Sequence, residues 1–328
     1  MEESEKIQEM TKQNKKRSVG FKSNAKTAEH VDNTMVNLPF ETLSCFSEIE
    51  VRTLQDSEPC HITSMLMLSP DLLLAVDHEN YAIKLMDVSR NKTPMLLTSF
   101  STESPPWDVA KIDQNHVAVT LPKEKSILIL KTEPRRLIYH KTLKMEGKCV
   151  AITAVQGKML VSFNSIRHKA SVQLLNPDDG AVIEKLDLDG VQCVPDVAVN
   201  EEETVAFVSD ASNNSIFRVS VNVNAGSGDE EGPKLKVLDC FEHAELKRPC
   251  CTLPLKDGGM LVCSNGNNQL LHVSPCLEKV VVAMSEVHEL YSPRAICYDE
   301  LHHRLFVSHG LDQNQQFRDY IKCLAKEP

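Results

Sequence analysis

The amino-acid sequence predicts an all-β protein, a six-bladed β-propeller whose last blade is closed by a strand from the N-terminal part of the chain. Three observations support this fold. From residue 59 onwards, short apolar runs alternate with turns rich in Asp, Asn, Ser and Pro. The pattern returns at roughly 40–50 residues, the period of a four-stranded blade. The last copy lacks a fourth strand, and an isolated strand-like run precedes the first copy.

The first copy, about residues 59–101, shows the repeated unit. Its first three strand-like runs are separated by two turns, Ser69-Pro70-Asp71 and His78-Glu79-Asn80. Such polar clusters between apolar runs are the usual hairpin signal. We expect the fourth strand near Met95–Ser101.

Five further copies follow the first. They open at Pro106, Cys149, Pro195, Pro249 and Pro293. The long gap inside the fourth copy is Asn222 to Pro233, a Gly- and Glu-rich stretch that we predict to be a flexible acidic loop between two strands.

The sixth copy supplies only three strands before Pro328. The missing strand is predicted at Ile49–Leu54, where apolar and polar residues alternate. An N-terminal strand that completes the last blade would close the ring and remove an open sheet edge. A β-sandwich is the structural alternative, but it does not explain the regular period.

The composition limits the function. The 328 residues are 41% hydrophobic, enough for a sizeable core, and the net charge of -10 disfavours binding to phosphate backbones. Eleven cysteines without C-x-x-C spacing predict free thiols, and the charged N-terminus has no signal-peptide pattern. We therefore expect a cytoplasmic protein with a flexible polar tail and linker over residues 1–40 and a propeller over residues 41–328.

A turn motif recurs at blade spacing. It reads Val76-Asp77-x-x-Asn80-x-x-Ile83, Val208-Ser209-Asp210-x-x-Asn213-x-x-Ile216 and Val262-Cys263-Ser264-x-x-Asn267-x-x-Leu270. The Asp and Asn side chains are expected to close the turn through backbone amides, and the apolar residue re-enters the blade. This motif resembles the NHL repeat.

Longer stretches resemble the C-terminal propeller of invertebrate, especially molluscan, tripartite-motif (TRIM) proteins over about residues 40–328. Examples are Ile83-Lys84-Leu85-Met86-Asp87 and Pro106-Trp107-Asp108-Val109-Ala110. In that family a RING finger, B-boxes and a coiled coil precede the propeller, which recruits a target or an RNA. This chain has no Cys/His zinc framework, so the resemblance implies the recruiting role without ligase chemistry.

The predicted partner-binding surface is one mouth of the central channel. In a propeller, the start of each first strand shares a face with the turns between second and third strands. The residues expected there are His61, Trp107, Asp108, Arg167, Asp196, Arg294 and His309. An aromatic and an arginine beside a concave mouth are typical of binding hot spots. The alternative for Trp107 is a core position between blades.

The sequence thus predicts a non-catalytic scaffold that recruits a protein partner, including ubiquitination targets, as a RING-less relative of TRIM ligases. We expect a monomer with no cofactor, no metal and no membrane contact. One alternative is an RNA-binding NHL propeller that uses basic residues such as Lys123 and Arg248. Another is a metal-dependent hydrolase of the lactonase type, with Asp108 and Asp196 facing the channel and Asn265 or Asn267 reaching it as an amide ligand, although the spacing gives no full ligand set.

Overall fold

The computed structural model describes residues 43–90, 92–165, 169–223, 234–311 and 316–326. The predicted tail over residues 1–40 and most of the predicted acidic loop, residues 224–233, lie outside the described residues. The described part contains 24 strands and two short 3₁₀ helices, Asn265–Asn267 and Glu286–His288. We find no helix there with the length and apolar character needed to cross a membrane.

The strands, numbered in chain order, are β1 (Leu43–Glu50), β2 (Ile62–Ser69), β3 (Leu72–Asp77), β4 (Ala82–Asp87), β5 (Met95–Ser101), β6 (Val109–Lys111), β7 (His116–Leu121), β8 (Ser126–Glu133), β9 (Arg136–Lys144), β10 (Lys148–Val155), β11 (Lys158–Asn164), β12 (Ala170–Leu175), β13 (Val182–Leu188), β14 (Val197–Val199), β15 (Val205–Asp210), β16 (Ser215–Asn222), β17 (Lys234–Glu242), β18 (Pro249–Pro254), β19 (Met260–Ser264), β20 (Gln269–Val273), β21 (Val280–Met284), β22 (Pro293–Asp299), β23 (Arg304–His309) and β24 (Tyr320–Lys326).

These strands form six antiparallel sheets of four strands, which confirms the predicted six-bladed propeller. Blades 1 to 5 take consecutive strands, from β2–β5 to β18–β21, and blade 6 has the order β22-β23-β24-β1. The inner strands β2, β6, β10, β14, β18 and β22 each contact the inner strands of both neighbouring blades. The sheets therefore surround a central channel.

Burial decreases from the inner to the outer part of each blade. Second strands such as β3 and β7 are buried along nearly their whole length, because neighbouring blades cover both of their faces. Outer strands such as β13 alternate between exposed and half-buried residues. The hydrophobic core of the described residues is accordingly divided into six clusters, and each cluster combines residues of two adjacent blades.

The closure of blade 6 is confirmed, but the predicted position of its strand is wrong. The closing strand β1 is Leu43–Glu50 and pairs antiparallel with β24, with Ile49 opposite Ile321. Of the predicted strand Ile49–Leu54, only the first two residues belong to β1. The chain must turn after Glu50 to reach the inner strand of blade 1, so Leu54 is fully exposed in the connecting loop.

Arg304 ties blade 6 to blade 1 at one end of their interface. Its guanidinium is buried and pairs with Asp299 Oδ2 at 2.7 Å. It also donates to the backbone oxygens of Val88 at 2.6 Å and Pro70 at 2.9 Å, both in blade 1. Hydrogen bonds to a charged donor are among the stronger ones in proteins, so the closing interface is held by more than apolar packing.

Lys84 also links blade 6 to blade 1, at the other end of this interface. Its ammonium is fully buried and lies 2.7 Å from both Asp77 Oδ2 and Asp56 Oδ2. It also donates to the backbone oxygen of Val51, just after β1, at 2.9 Å. Burial opposes the charged form, but Asp77 and Asp56 outweigh it and raise the pKa of Lys84.

A small polar residue near the end of the second strand bridges blades around most of the ring. These residues are Thr120, Ser162, Ser209 and Ser308. The Ser162 hydroxyl accepts the Ala151 N–H of its own blade at 2.9 Å and donates to Val194 O of the next blade at 3.0 Å. These hydroxyl bridges were not predicted from the sequence, although Val followed by Ser or Thr recurs near the end of the second strand in four of the six copies.

Thr120 and Ser308 repeat this double bond. Thr120 Oγ1 accepts the Asp108 N–H at 3.1 Å and donates to Val150 O at 2.6 Å. Ser308 Oγ donates to Ile62 O at 2.9 Å and so joins blade 6 to blade 1. Blade 1 has a valine at this position, and a threonine of its inner strand, Thr63, supplies the hydroxyl instead.

Replacement of Ile49 by alanine tests the closure by β1. Ile49 is 1% exposed and belongs to the core cluster shared by blades 6 and 1. We expect Ile49→Ala to lower the free energy of unfolding in urea by about 2–5 kcal/mol. As a control, Val182→Ala on an exposed outer strand should change it by less than about 0.5 kcal/mol. Equal small effects would mean that β1 does not stabilise the blade.

Replacement of Ser162 by alanine tests the hydroxyl bridges. The change leaves a buried N–H and a buried carbonyl without this partner, so we expect a loss of about 2 kcal/mol in the free energy of unfolding. Ser162→Thr keeps the hydroxyl and should lose less. Ser101→Ala, at an exposed position, is the control. A loss as small as that of the control would show that the bridge does not stabilise the ring.

Candidate functional site

The antiparallel strand order defines one face of the ring, which we call the mouth face. Inner strands begin there, second strands end there, and the connections from each outer strand to the next blade cross it. Of the predicted site residues that the structure describes, His61, Trp107 and Arg294 lie at this face, and Asp108 and Asp196 line the channel below it.

Three of the predicted residues meet at the mouth. The His61 ring stacks on Phe317 with centroids 4.2 Å apart and meets the edge of His78 at 5.6 Å. His78 in turn meets the edge of Trp107 at 5.2 Å, and the Arg294 guanidinium carbon lies 4.6 Å from the Trp107 ring centroid. We call these five residues the mouth cluster. His78 was expected at this face, whereas sequence analysis missed Phe317.

Trp107 is half-buried, so it is neither a core residue nor a free surface side chain. Its backbone N–H donates to Thr120 O at 3.0 Å, and its backbone oxygen accepts from Thr63 Oγ1 at 2.6 Å. These bonds and the neighbouring His78 ring fix the indole at the edge of the channel. The structure thus gives Trp107 features of both alternatives, a rigid base and an accessible part.

His61 contributes an aromatic ring but no positive charge to the mouth cluster. Burial lowers the pKa of His61 to about 3, and the charge of Arg294 and the proximity of His78 add to this effect. His61 Nδ1 is shielded from solvent, and no described residue forms a hydrogen bond with it. The closest carboxylate oxygen is Glu79 Oε1, at 3.7 Å. His61 is therefore neutral at neutral pH.

Arg294 is the cation of the mouth cluster. No carboxylate of the described residues forms an ion pair with it, and its Nε is buried without a hydrogen-bond partner among them. Burial raises the pKa values of Asp108 and Asp196 in the channel, and the positive charge of Arg294 offsets part of that rise. The stacked guanidinium is thus positioned by Trp107, with no ion pair from a described residue.

Asp108 and Asp196 line the central channel, a cavity of about 370 Å³. Asp108 accepts the Val109 N–H at 2.8 Å and the Ile152 N–H of the next blade at 2.7 Å. Asp196 accepts the Thr252 N–H of the next blade at 2.7 Å. Each aspartate therefore joins two inner strands, which is a structural use of a channel carboxylate.

Both aspartates have perturbed pKa values. Burial raises the pKa of Asp108 to about 6, although its hydrogen bonds and Arg294 act in the opposite direction. Burial and the neighbouring Asp108 carboxylate raise the pKa of Asp196 well above its ordinary value. A perturbed carboxylate pair in a cleft is a candidate for chemistry, but its backbone bonds give a sufficient structural reason here.

The lactonase-type ligand set does not assemble from the predicted residues. The Asn265 amide donates to Ser292 Oγ at 2.7 Å and the Asn267 amide to Glu245 O at 2.9 Å, and neither side chain lines the channel.

Among the described residues, one group of three ligand-type side chains lies close enough together for a metal: Asp56, Cys60 and Asp77. The ammonium of Lys84 lies between them, 2.7 Å from each carboxylate and 3.3 Å from the Cys60 sulfur. A lysine therefore supplies the positive charge at this position.

The other predicted site residues lie elsewhere. His309 is 1% exposed, with Nδ1 3.1 Å from Tyr291 O and its ring against Tyr320. Burial lowers its pKa to about 4. The prediction that His309 contacts a partner at the open mouth is therefore wrong, because Tyr291 and Tyr320 pack against its side chain and leave it 1% exposed. Arg167 lies outside the described residues.

The turn-closing roles predicted from the repeat are confirmed. Asp210 Oδ1 accepts the backbone N–H of Ser212 at 2.9 Å and that of Asn213 at 3.2 Å, and Asp77 Oδ1 accepts the backbone N–H of Asn80 at 3.5 Å. The asparagine side chains add a second bond, from Asn80 Nδ2 to Asp77 Oδ2 at 3.0 Å and from Asn213 Nδ2 to Asp210 Oδ2 at 2.6 Å. In the fifth copy Ser264 replaces the aspartate and donates to Asn267 Oδ1 at 2.6 Å.

Exposed apolar side chains extend the mouth cluster on its blade 5, 6 and 1 side. Leu54 is 107% exposed, Val287 is 83% exposed, and Tyr81 and Leu311 are each 40% exposed. Strand order places the loops and turns that carry them on the mouth face. This apolar rim was not predicted, because the loops were expected to be polar connections. The only sign of it in the sequence is the presence of isolated apolar residues within these loops and turns.

Comparisons with known proteins support the fold and give no family. Neither the protein-family models nor the curated proteins contain a match. Solved structures similar to this chain include the β-propeller domain of Myceliophteria thermophila Cps50 (Swd1), with a TM-score of 0.58 and 12% identity over 81% of this chain and 82% of that one.

Two further similar structures are a streptogramin B lyase and the hydrazine synthase of Kuenenia stuttgartiensis. The lyase has a TM-score of 0.56 and 12% identity over 86% of this chain and 88% of its own. The synthase has a TM-score of 0.54 and 11% identity over 83% of this chain and 97% of its own. At such identities the likeness shows a β-propeller and nothing finer.

The charge of Arg294 predicts a measurable effect on Asp108. We expect Arg294→Gln to raise the pKa of Asp108 above about 6, as followed by carboxyl carbon NMR during a pH titration. Arg135→Gln, on an exposed hairpin far from the channel, should leave that pKa unchanged. An unchanged Asp108 pKa in Arg294→Gln would place the guanidinium away from the channel.

The same pKa gives the sign of a pH effect on stability. The folded pKa of Asp108, about 6, exceeds its ordinary value of 3.8, so the folded state binds more protons between these values. The contribution of Asp108 to the free energy of unfolding therefore falls as pH rises through this interval and is constant above it.

Proposed function

We propose that this chain is a non-catalytic interaction propeller whose mouth face recruits a protein partner. The observation that carries the proposal is the half-buried Trp107 held between His78 and the stacked guanidinium of Arg294. Tryptophan and arginine in a fixed, partly desolvated position are the residues most often found at binding hot spots.

The rigidity of the mouth cluster favours binding. Trp107 and Arg294 are positioned before a partner arrives, so less side-chain entropy is lost on association. The apolar rim of Leu54, Val287, Tyr81 and Leu311 adds surface on the same face. A central aromatic anchor with surrounding apolar contacts fits a protein surface better than a small polar substrate.

We propose further that the chain is a TRIM- and NHL-like propeller that presents targets within the ubiquitin pathway as a cytoplasmic protein. The support is the sequence resemblance and the Asp–Asn turns that it shares with the NHL repeat. Ten cysteines with free thiols among the described residues are consistent with a reducing compartment. Recruitment would be its role, since ligase chemistry belongs to the RING of that family.

The proposal that the chain is not an enzyme rests on the channel. The similar solved structures carry the names of a lyase and a synthase as well as a propeller domain, so fold alone does not decide. Asp108 and Asp196 are each committed to a backbone N–H of the next blade. The predicted amide ligands bind loop residues instead.

A protein partner is favoured over RNA. The guanidinium and indole of the mouth cluster offer one stacking position for a base. Against RNA stand the net charge of -10 and the exposed apolar rim, which adds no favourable contact to a phosphate backbone.

Photo-crosslinking tests this proposal. A photo-reactive amino acid at Tyr81 on the mouth face should capture a protein partner, and one at Leu301 on the opposite face should not. We expect Trp107→Ala and Arg294→Ala to reduce capture from Tyr81 roughly tenfold or more. The controls Tyr139→Ala and Arg135→Ala, at exposed positions away from the mouth, should leave capture unchanged.

Thermal unfolding of the same variants separates binding from stability. Trp107→Ala with unchanged capture and a lower melting temperature would make the indole a structural residue and contradict the proposal. Equal crosslinking from both faces would contradict the assignment of the mouth face. Adducts with RNA in place of protein would favour the RNA-binding alternative.

A further inference from the structure

A second concave surface lies between blades 2 and 3, away from the mouth cluster. It has a volume of about 1050 Å³, compared with about 370 Å³ for the channel. One wall is the link between β9 and β10, and the other is the surface of β12 and the start of β13. We infer that this groove, which we call the blade 2–3 groove, is a docking site for an acidic peptide segment of another protein.

The charge of the groove is opposite to that of the whole chain. Its basic lining residues are Lys125, Lys144, Lys148, Lys169 and Lys185. Only two acidic residues, Glu146 and Asp179, are among the lining residues. The groove is therefore positively charged on a protein whose net charge is -10. An acidic ligand is attracted to this position and repelled by the rest of the surface.

Three of the five lysines form no ion pair with a described residue. Lys169 pairs with Asp189, and Lys185 pairs with Asp187 at 2.9 Å. Lys125, Lys144 and Lys148 are exposed and form no ion pair with any residue that the structure describes. Ligand carboxylates would therefore not have to displace an existing pair from these three.

The floor of the groove is apolar and shaped by a close approach. Phe163 is 8% exposed, and Met145 is half-buried. Gly180 has φ +77°, and a Cβ there would lie only 2.7 Å from the Met145 methyl carbon. Glycine thus lets the β12–β13 turn rest against Met145. Ser171 and Gln173 also line the groove, where the Gln173 amide donates to the Ser171 hydroxyl at 3.3 Å.

These features favour a peptide over a nucleic acid. Grooves for single-stranded nucleic acid present accessible aromatic rings on which the bases stack, whereas the aromatic ring of this groove, Phe163, is nearly buried. Glu146 and Asp179 would face a continuous row of phosphates unfavourably. In an acidic peptide, glutamates spaced along the chain can contact the groove lysines while the apolar side chains between them reach Met145.

Fluorescence anisotropy with a defined probe tests the inference. The probe is a short fluorescein-labelled peptide of Glu-Glu-Leu repeats, and its counterpart has Gln in place of Glu. We expect the full chain to bind the Glu peptide in a saturable manner that weakens with salt, and to bind the Gln peptide far less. The triple variant Lys125→Gln, Lys144→Gln, Lys148→Gln should weaken binding on the order of tenfold.

A matched control removes the same charge elsewhere. The triple variant Lys236→Gln, Lys247→Gln, Lys279→Gln replaces three exposed lysines outside the groove and should keep the wild-type affinity. Trp107→Ala should also keep it, since the groove does not include the mouth cluster. Thermal unfolding of both triple variants should match that of the wild type.

Three results would overturn the inference. Equal weakening by the two triple variants would mean that the peptide responds only to overall charge. Equal binding of the Glu and Gln peptides would remove the role of carboxylates. Displacement of the peptide by a single-stranded RNA at lower concentration, with the same dependence on the three groove lysines, would assign the groove to nucleic acid.

Discussion

Each blade of this propeller is held to the next by hydrogen bonds that reach an inner strand, and the rest of the structure depends on this coupling. Four-stranded sheets packed face to face could slide past one another if apolar contact alone held them. Ser162 prevents this because its hydroxyl accepts the Ala151 N–H of its own inner strand and donates to Val194 O, just before the inner strand of the next blade. Ser308 does so where the two ends of the ring meet, with a donation to Ile62 O across 246 positions of sequence. The buried cations Arg304 and Lys84 reinforce that same interface from both ends.

The coupling also explains the channel. Asp108 and Asp196 are placed where an enzyme of this fold would need ligands, yet their carboxylates hold backbone amides of the next blade. Burial raises the pKa values of both, and the nearby guanidinium of Arg294 offsets part of that effect. Arg294 in turn stacks on Trp107 and belongs to the mouth surface. The channel and the mouth cluster are therefore electrostatically coupled, and the two binding surfaces that we propose, the mouth cluster and the blade 2–3 groove, lie outside the channel.

Much of the fold could be predicted because its signals are local. The turns around Asp77 and Asp210 and the strands between them follow from side chains a few positions apart. The prediction was less accurate where a distant contact decides the conformation. Leu54 alternates correctly with its neighbours but lies after the end of β1, because the chain must turn there toward blade 1. His309 ends a strand as a surface residue could, yet Tyr291 and Tyr320 pack against its ring. Phe317, between β23 and β24, reaches His61 from more than two hundred residues away.

The sequence by itself determined the number of blades, the turn chemistry and the closure of the last blade by an N-terminal strand. It did so because each copy of the repeat shows its own strands and turns through the alternation of apolar runs and polar turn residues. Only the tertiary structure decided which copies meet. Closure of the ring brings His61 of blade 1, Trp107 at the start of blade 2, and Arg294 and Phe317 of blade 6 into one cluster. The packing of blades 2 and 3 likewise gathers lysines from four separate segments. The physical reason is that side chains from different copies become neighbours only when the ring closes, and no local pattern encodes that distance.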